Sequence, residues 1–181
     1  MIAHELIADG VAIAVHECVG SKKLFVLSPG FLDSKDYAGL VGLANDLNAA
    51  GWIVIRVQPY GTWESNGSIV DYTTTRRLKD IDEVLAWAHG KYELKHVALG
   101  GHSRGGRLSI LYAGAHPEIA AAVNIMGSAG AGTALSWPAD GIYRSKRDIP
   151  GSNEVRSFEV PKSFVDDALR YNAQEVLRTM R

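Results

Sequence analysis

The stretch at residues 96–115, HVALGGHSRGGRLSILYAGA, leaves a chain that contains it few ways to fold. A short apolar run, Val97-Ala98-Leu99, ends in Gly100 and Gly101, and a helical pattern starts straight after Ser103. Gly101-His102-Ser103-Arg104-Gly105 is G-x-S-x-G between a strand and a helix, the context in which the motif means a nucleophile elbow. A serine on so sharp a turn takes an unfavourable backbone conformation, tolerable only where its neighbours are small. Gly101 and Gly105, two residues either side, let strand and helix pass close together. Ser103 Oγ is then expected to stand clear of the sheet, with the Arg104 N–H pointing from the helix N-terminus towards an oxyanion. The motif alone would equally describe an ordinary glycine-rich turn. The further glycines, Gly100 and Gly106, and the flanking strand and helix favour the elbow.

Around it the chain alternates strand and helix. Residues 4–8, an Asp9-Gly10 turn and residues 11–19 read as a β-hairpin, with Val11, Ile13 and Val15 on one face. Residues 23–27 form a third strand, whose continuous apolar run suits a strand covered on both sides. It ends in Ser28-Pro29-Gly30-Phe31-Leu32-Asp33-Ser34, where glycine permits a tight turn and leaves the following N–H groups free; this reads either as a plain turn or as a second oxyanion donor, the Phe31 N–H. A helix over 36–50 carries Leu40, Leu43, Ala44 and Leu47 on one face and stops at Gly51. A buried strand over 52–57, a loop over 58–67 and a helix over 73–89 closed by Gly90 follow. After the elbow helix, which ends at His116-Pro117, comes a strand over 119–126. This is the pattern of an α/β fold, a mostly parallel sheet with helices on both faces and an N-terminal antiparallel hairpin. Ligands of such sheets lie beyond the carboxyl ends of the strands, where Phe31, the 58–67 loop and Ser103 all fall.

The organisation reads as a core over 1–127, a cap or lid inserted over 128–160, and helices over 161–181 that return to the core. The length suits one domain. The formal net charge of −1 and the lack of any basic block point away from nucleic acid and anionic membranes. A single cysteine, Cys18, excludes an internal disulfide and fits a reducing compartment, and His16-x-Cys18 is too sparse for a metal site. With no signal-peptide pattern and no apolar run near the roughly 20 residues of a membrane span, a cytoplasmic protein is expected. No metal or organic cofactor is implied, and the partner is a small-molecule ester or acyl substrate.

Together these segments resemble the α/β-hydrolase superfamily, in particular its small serine esterases and serine-aminopeptidase-like lysophospholipase relatives, from the first hairpin to Arg181. GHSRGG is similar to the family's G-H-S-x-G-G, SPGFLDS occupies the place of its H-G-F-x-x-S oxyanion loop, and YGTWESNG looks like its G-x-G-x-S-x-G stretch. SFVDDALRYNAQEVLRTMR resembles the helices leading from the cap to the next core strand. Ser28-Pro29 replaces the usual histidine before the oxyanion glycine, and Gln58 and Trp63 stand where the family often has Asp and Gly.

The resemblance implies a triad in the order Ser, Asp or Glu, His. The chain stops at Arg181, where the next strand is expected, so the triad acid and histidine are expected to be absent from these residues. His116 would lie roughly 18 Å from Ser103 along its helix, at about 1.5 Å per residue. His96 would lie about 20 Å back along the strand. His89 belongs at the wrong edge, His4 and His16 lie in the distant hairpin, and His102 is held facing away by the turn. Asp140 is the best-placed stand-in acid, while Asp148, Asp166 and Asp167 read as cap or surface charges. The expectation is therefore an N-terminal portion of a serine hydrolase acting on carboxylic esters, nearly inactive as it stands. The alternatives are a non-catalytic hydrolase-like binding or scaffold protein, and an acyltransferase or thioesterase on the same fold.

Overall fold

A computed structural model describes residues 2–7, 9–130 and 136–180. Six strands make the main sheet: β1 (Ile2–Ile7), β2 (Val11–His16), β3 (Lys23–Ser28), β4 (Ile53–Gln58), β5 (His96–His102) and β6 (Ala121–Ile125). Their order is β1-β2-β4-β3-β5-β6. The β1–β2 hairpin and the β2–β4 pair are antiparallel, and β4, β3, β5 and β6 run parallel. Ala8, placed in the expected first strand, lies outside the described residues.

Three helices cover this sheet: α1 (Ala38–Ala49), α2 (Thr74–Lys91) and α3 (Arg104–Ala115). β3 explains why both faces need cover. Leu24 and Val26 join the core shared with Ile81 and Val84 of α2 and Leu108 of α3. Phe25 and Leu27, on the alternate face, pack with Leu40 and Ala44 of α1. Mostly parallel architecture with an N-terminal antiparallel hairpin is thus what the alternation of strand and helix predicts.

Several boundaries differ from expectation. α1 starts at Ala38 rather than residue 36 because the Asp36 carboxylate is drawn into ion pairs with Lys35 and Arg56, 2.6 Å from each. α2 runs through Gly90 to Lys91, and Thr73 caps it by accepting the Arg76 N–H at 3.1 Å.

The larger difference lies between residues 128 and 161. Here β7 (Ile142–Asp148) and β8 (Val155–Pro161) pair antiparallel as a separate two-stranded sheet. Phe158 and Val160 point inward and pack with Leu32, Trp63 and Tyr72. The helical stretch expected from residue 161 therefore begins later, with α4 (Ser163–Ala168), followed by α5 (Ala173–Thr179). Two links tie the hairpin to the sheet's carboxyl edge: Tyr37 Oη donates to the Asp148 carbonyl at 3.0 Å, and Arg147 Nη2 donates to the Phe31 carbonyl at 3.1 Å. Residues 131–135 of the expected cap lie outside the described residues.

Candidate active site

Ser103 is the one residue between β5 and α3, with φ 51° and ψ −114°. A positive φ at a non-glycine residue costs on the order of 1–3 kcal/mol and persists only where its surroundings over-determine it. They do so here. The Ser103 N–H donates to the Ile125 carbonyl of β6 at 2.7 Å, and its own carbonyl accepts the Arg107 N–H at 3.2 Å. Arg104 opens α3, so its N–H is among the first-turn donors that have no partner within the helix. Ser103 itself is half-buried.

Facing this turn is the loop after β3. Its backbone is held by side chains from β4 and the loop that follows it, none of which the motif SPGFLDS reveals. Gln58, the last residue of β4, donates from Nε2 to the Asp33 carbonyl at 3.3 Å and accepts the Lys35 N–H on Oε1 at 2.8 Å. Arg56 Nη1 donates to the Lys35 carbonyl. Trp63 Nε1 donates to the Leu32 carbonyl at 3.0 Å. Gln58 and Trp63, two of the departures from the family pattern, are therefore loop-bracing residues. Lys35 is buried yet ion-paired with Asp36 and Glu64, so its charge is compensated.

A Cβ on Gly30 would lie 2.4 Å from Asp33 Oδ2 and 3.1 Å from His102 Nδ1, so these two side chains crowd the glycine. His102 thus lies against the loop, its Nδ1 3.6 Å from Asp33 Oδ2, and Arg147 Nε stands 3.6 Å from the other Asp33 oxygen. Beside them is a mostly apolar cavity of about 350 Å³, lined by Asp33, Tyr37, Leu40, Leu43, His102 and Ile125. Its wall includes His102, the residue before Ser103, and Ile125, whose carbonyl holds the serine N–H.

The other singled-out residues have partners elsewhere. Asp140 accepts from Arg144 Nη1 at 2.6 Å and from the Ile142 N–H at 3.1 Å, a local brace at the start of β7. The Arg144 bond holds its carboxyl below the usual range. His16 is buried and accepts from Arg56 Nε at 3.0 Å, and burial pushes its pKa down. His116 stacks on Tyr112 with ring centres 3.9 Å apart.

Arg104 presents its backbone to the site but buries its side chain. The guanidinium donates to Thr74 Oγ1 and lies 4.1 Å over the Phe164 ring, while its Nε has no hydrogen-bond partner among the described residues. Burial pushes its pKa down to about 10, and Arg77 and Arg107 add to the push. A buried cation without a carboxylate is a liability that an apolar side chain of similar length removes. Arg104→Met keeps the N–H and is expected to raise the unfolding free energy by about 1 kcal/mol in urea titration, the relief exceeding the lost ring contact.

Among the described residues no helix is long and apolar enough to cross a membrane, and no three His, Cys, Asp or Glu residues cluster as metal ligands would.

The sequence matches the family model for the alpha/beta hydrolase fold over residues 23–169. No match is found among curated proteins. Among solved structures, Est1E from Butyrivibrio proteoclasticus with ferulic acid bound aligns with a TM-score of 0.71 at 19% identity, over 97% of this chain and 73% of its own. The alpha/beta hydrolase GrgF from Penicillium sp. sh18 aligns at 0.73 and 16% identity, over 98% and 75% of the two chains. Mouse alpha/beta hydrolase domain-containing protein 10 aligns at 0.65 and 22% identity, over 94% and 70%. With the family match running from β3 through α4, this chain belongs to the alpha/beta hydrolase fold family.

Proposed function

We propose that this protein is a serine hydrolase that cleaves small carboxylic esters through an acyl-enzyme on Ser103. In this reading Ser103 Oγ attacks the ester carbonyl and the N–H groups of Phe31 and Arg104 hold the tetrahedral oxyanion. The alcohol leaves with a proton, and water then releases the acid. The observation that carries the reading is the strained Ser103 backbone, φ 51° and ψ −114°, at the one-residue turn between β5 and α3. The apolar cavity of about 350 Å³ is of a size for a small acyl or alkoxy group. Structural neighbours that carry ferulic acid or are described as lipolytic enzymes support a small-molecule ester as the substrate class. The β7–β8 hairpin, linked to Phe31 and Tyr37, would serve as the cap.

Activation of Ser103 calls for a histidine base and an acid that orients it. None of the six histidines of this chain, nor Asp140, is assigned those roles, so the test supplies the base. A fluorophosphonate probe with added imidazole is expected to label Ser103, located by peptide mapping, and labelling should vanish in Ser103→Ala. A wild-type chain that stays unlabelled, or a variant that labels equally, would sink the reading in favour of a non-catalytic binding or scaffold protein. Acceptor trials on the acylated form separate hydrolysis from acyl transfer.

A further inference from the structure

We propose that Tyr72, braced by Arg77, is the positioning residue that aims the Phe31 N–H at the oxyanion, an inference that rests on the hydrolase reading for its purpose but not for its geometry.

Tyr72 lies between the short 3₁₀ turn Ile69–Asp71 and α2 and is fully buried. Its hydroxyl makes the full set of bonds open to a phenol. It accepts the Leu32 N–H at 3.0 Å and Arg77 Nη1 at 3.3 Å, and it donates to the Gly30 carbonyl at 3.4 Å. Arg77, buried as well, uses Nη2 to hold the Pro29 carbonyl at 2.8 Å. Two side chains from beyond β4 therefore grip residues 29, 30 and 32 and leave only the N–H between them.

Peptide geometry turns that grip into aim. In a trans peptide the carbonyl oxygen and the following N–H point in opposite directions. The chain has no cis peptide bond among the described residues. With the Gly30 carbonyl directed at Tyr72 Oη, the Phe31 N–H is directed away from it, and it makes no hydrogen bond among the described residues. Rotating that peptide would break the Gly30 bond.

The next residue locks the arrangement. Leu32 has φ +59°, a conformation costly for a branched side chain. It is fixed at both ends, its N–H by Tyr72 and its carbonyl by Trp63. The ring of Tyr72 also contacts the Phe31 ring at 6.0 Å and stacks on Phe164 at 5.7 Å, so the hydroxyl has little freedom to follow a shifting loop.

Tyr72→Phe keeps the ring and removes only the hydroxyl. Amide hydrogen exchange is expected to quicken at least about tenfold at Leu32 while Val26 and Leu99 in the sheet keep their protection, since only the hydroxyl's bonds to Leu32, Gly30 and Arg77 are lost. In the imidazole-assisted assay the maximal rate of Ser103 phosphonylation should fall about tenfold, less than the 10²–10³ of a deleted donor, with the half-saturating probe concentration unchanged. Unchanged Leu32 exchange would overturn the proposal. So would an unchanged phosphonylation rate in a variant whose Leu32 amide has come free. If the wild-type chain does not label, the hydrolase reading fails by itself, and the exchange result alone decides whether Tyr72 sets the loop.

Discussion

Gly105→Ala is expected to destabilise the protein by at least about 3 kcal/mol and to leave much of the chain unfolded. A Cβ at residue 105 would stand 2.2 Å from the Ser28 carbonyl oxygen and 2.7 Å from that of Pro29. Both obstacles are backbone, so no rotamer can yield. The first turn of α3 lies directly on the end of β3, and relief requires Ser28 to leave its pairing with Gly101 on β5. A Cβ at Gly101 meets the same oxygen, also at 2.2 Å. The two glycines and Ser28 are thus one three-way backbone contact, and Ser103 stands at its apex. Gly42→Ala supplies the contrast. Gly42 is exposed within α1 with nothing within 4 Å of its built Cβ, so alanine there should add about 1 kcal/mol by restricting the unfolded chain. Urea titration by circular dichroism measures both. Near-equal effects of the two substitutions would mean that α3 does not rest on β3 as described.

What the sequence discloses is local, and what it withholds is held by distance. The turn at Ser103 was legible because its requirements fit in seven neighbouring residues and the strand before them: two glycines for approach, two more for packing and one serine. The loop after β3 was half legible. Its glycine and the free N–H after it are consecutive, but Tyr72 and Arg77, which orient them, come more than 40 residues later and are joined only by the fold. Gln58 and Trp63 did carry a signal, as a polar residue closing the buried strand IVIRVQ and an indole where the family prefers glycine.

The β7–β8 hairpin escaped notice because one face of it is solvated. Arg144, Lys146, Arg156 and Glu159 dilute its apolar content, leaving Phe158 and Val160 as the visible period of two. Gly51 and Gly90 show the limits of glycine as a stop signal. Gly51 takes φ +85° and ends α1, whereas Gly90, without a positive φ, lets α2 continue to Lys91.

Between pH 4 and 6.5 the stability of the wild-type protein should fall by about 2 kcal/mol relative to an Asp80→Asn variant. Asp80 is buried in α2, where burial pushes its pKa up to about 6. It accepts the Tyr60 N–H at 3.0 Å and Arg76 Nε at 2.8 Å. The cation does not win because Arg76 is shared with Asp9 and Glu83, and each partner takes part of its charge. Below the unfolded value near 3.8 the carboxyl is protonated in both states and costs nothing extra. As pH rises the unfolded chain loses its proton first, and the native state loses ground until its own proton leaves near pH 6. Above that the full difference remains, roughly 2 units at about 1.4 kcal/mol each. Asp36 runs the other way: burial opposes it, but Lys35 and Arg56 hold its carboxyl below the usual range, so it stabilises at neutral pH and that support is lost in acid. Subtracting the two urea-derived pH profiles cancels Asp36 and isolates Asp80. Parallel profiles would show that the Asp80–Arg76 pair ionises as readily in the fold as in water. Because Asp80 holds Tyr60 at the start of the 58–67 loop, and Gln58 and Trp63 from that segment brace the loop after β3, the same titration reaches the candidate site through backbone it helps to fix.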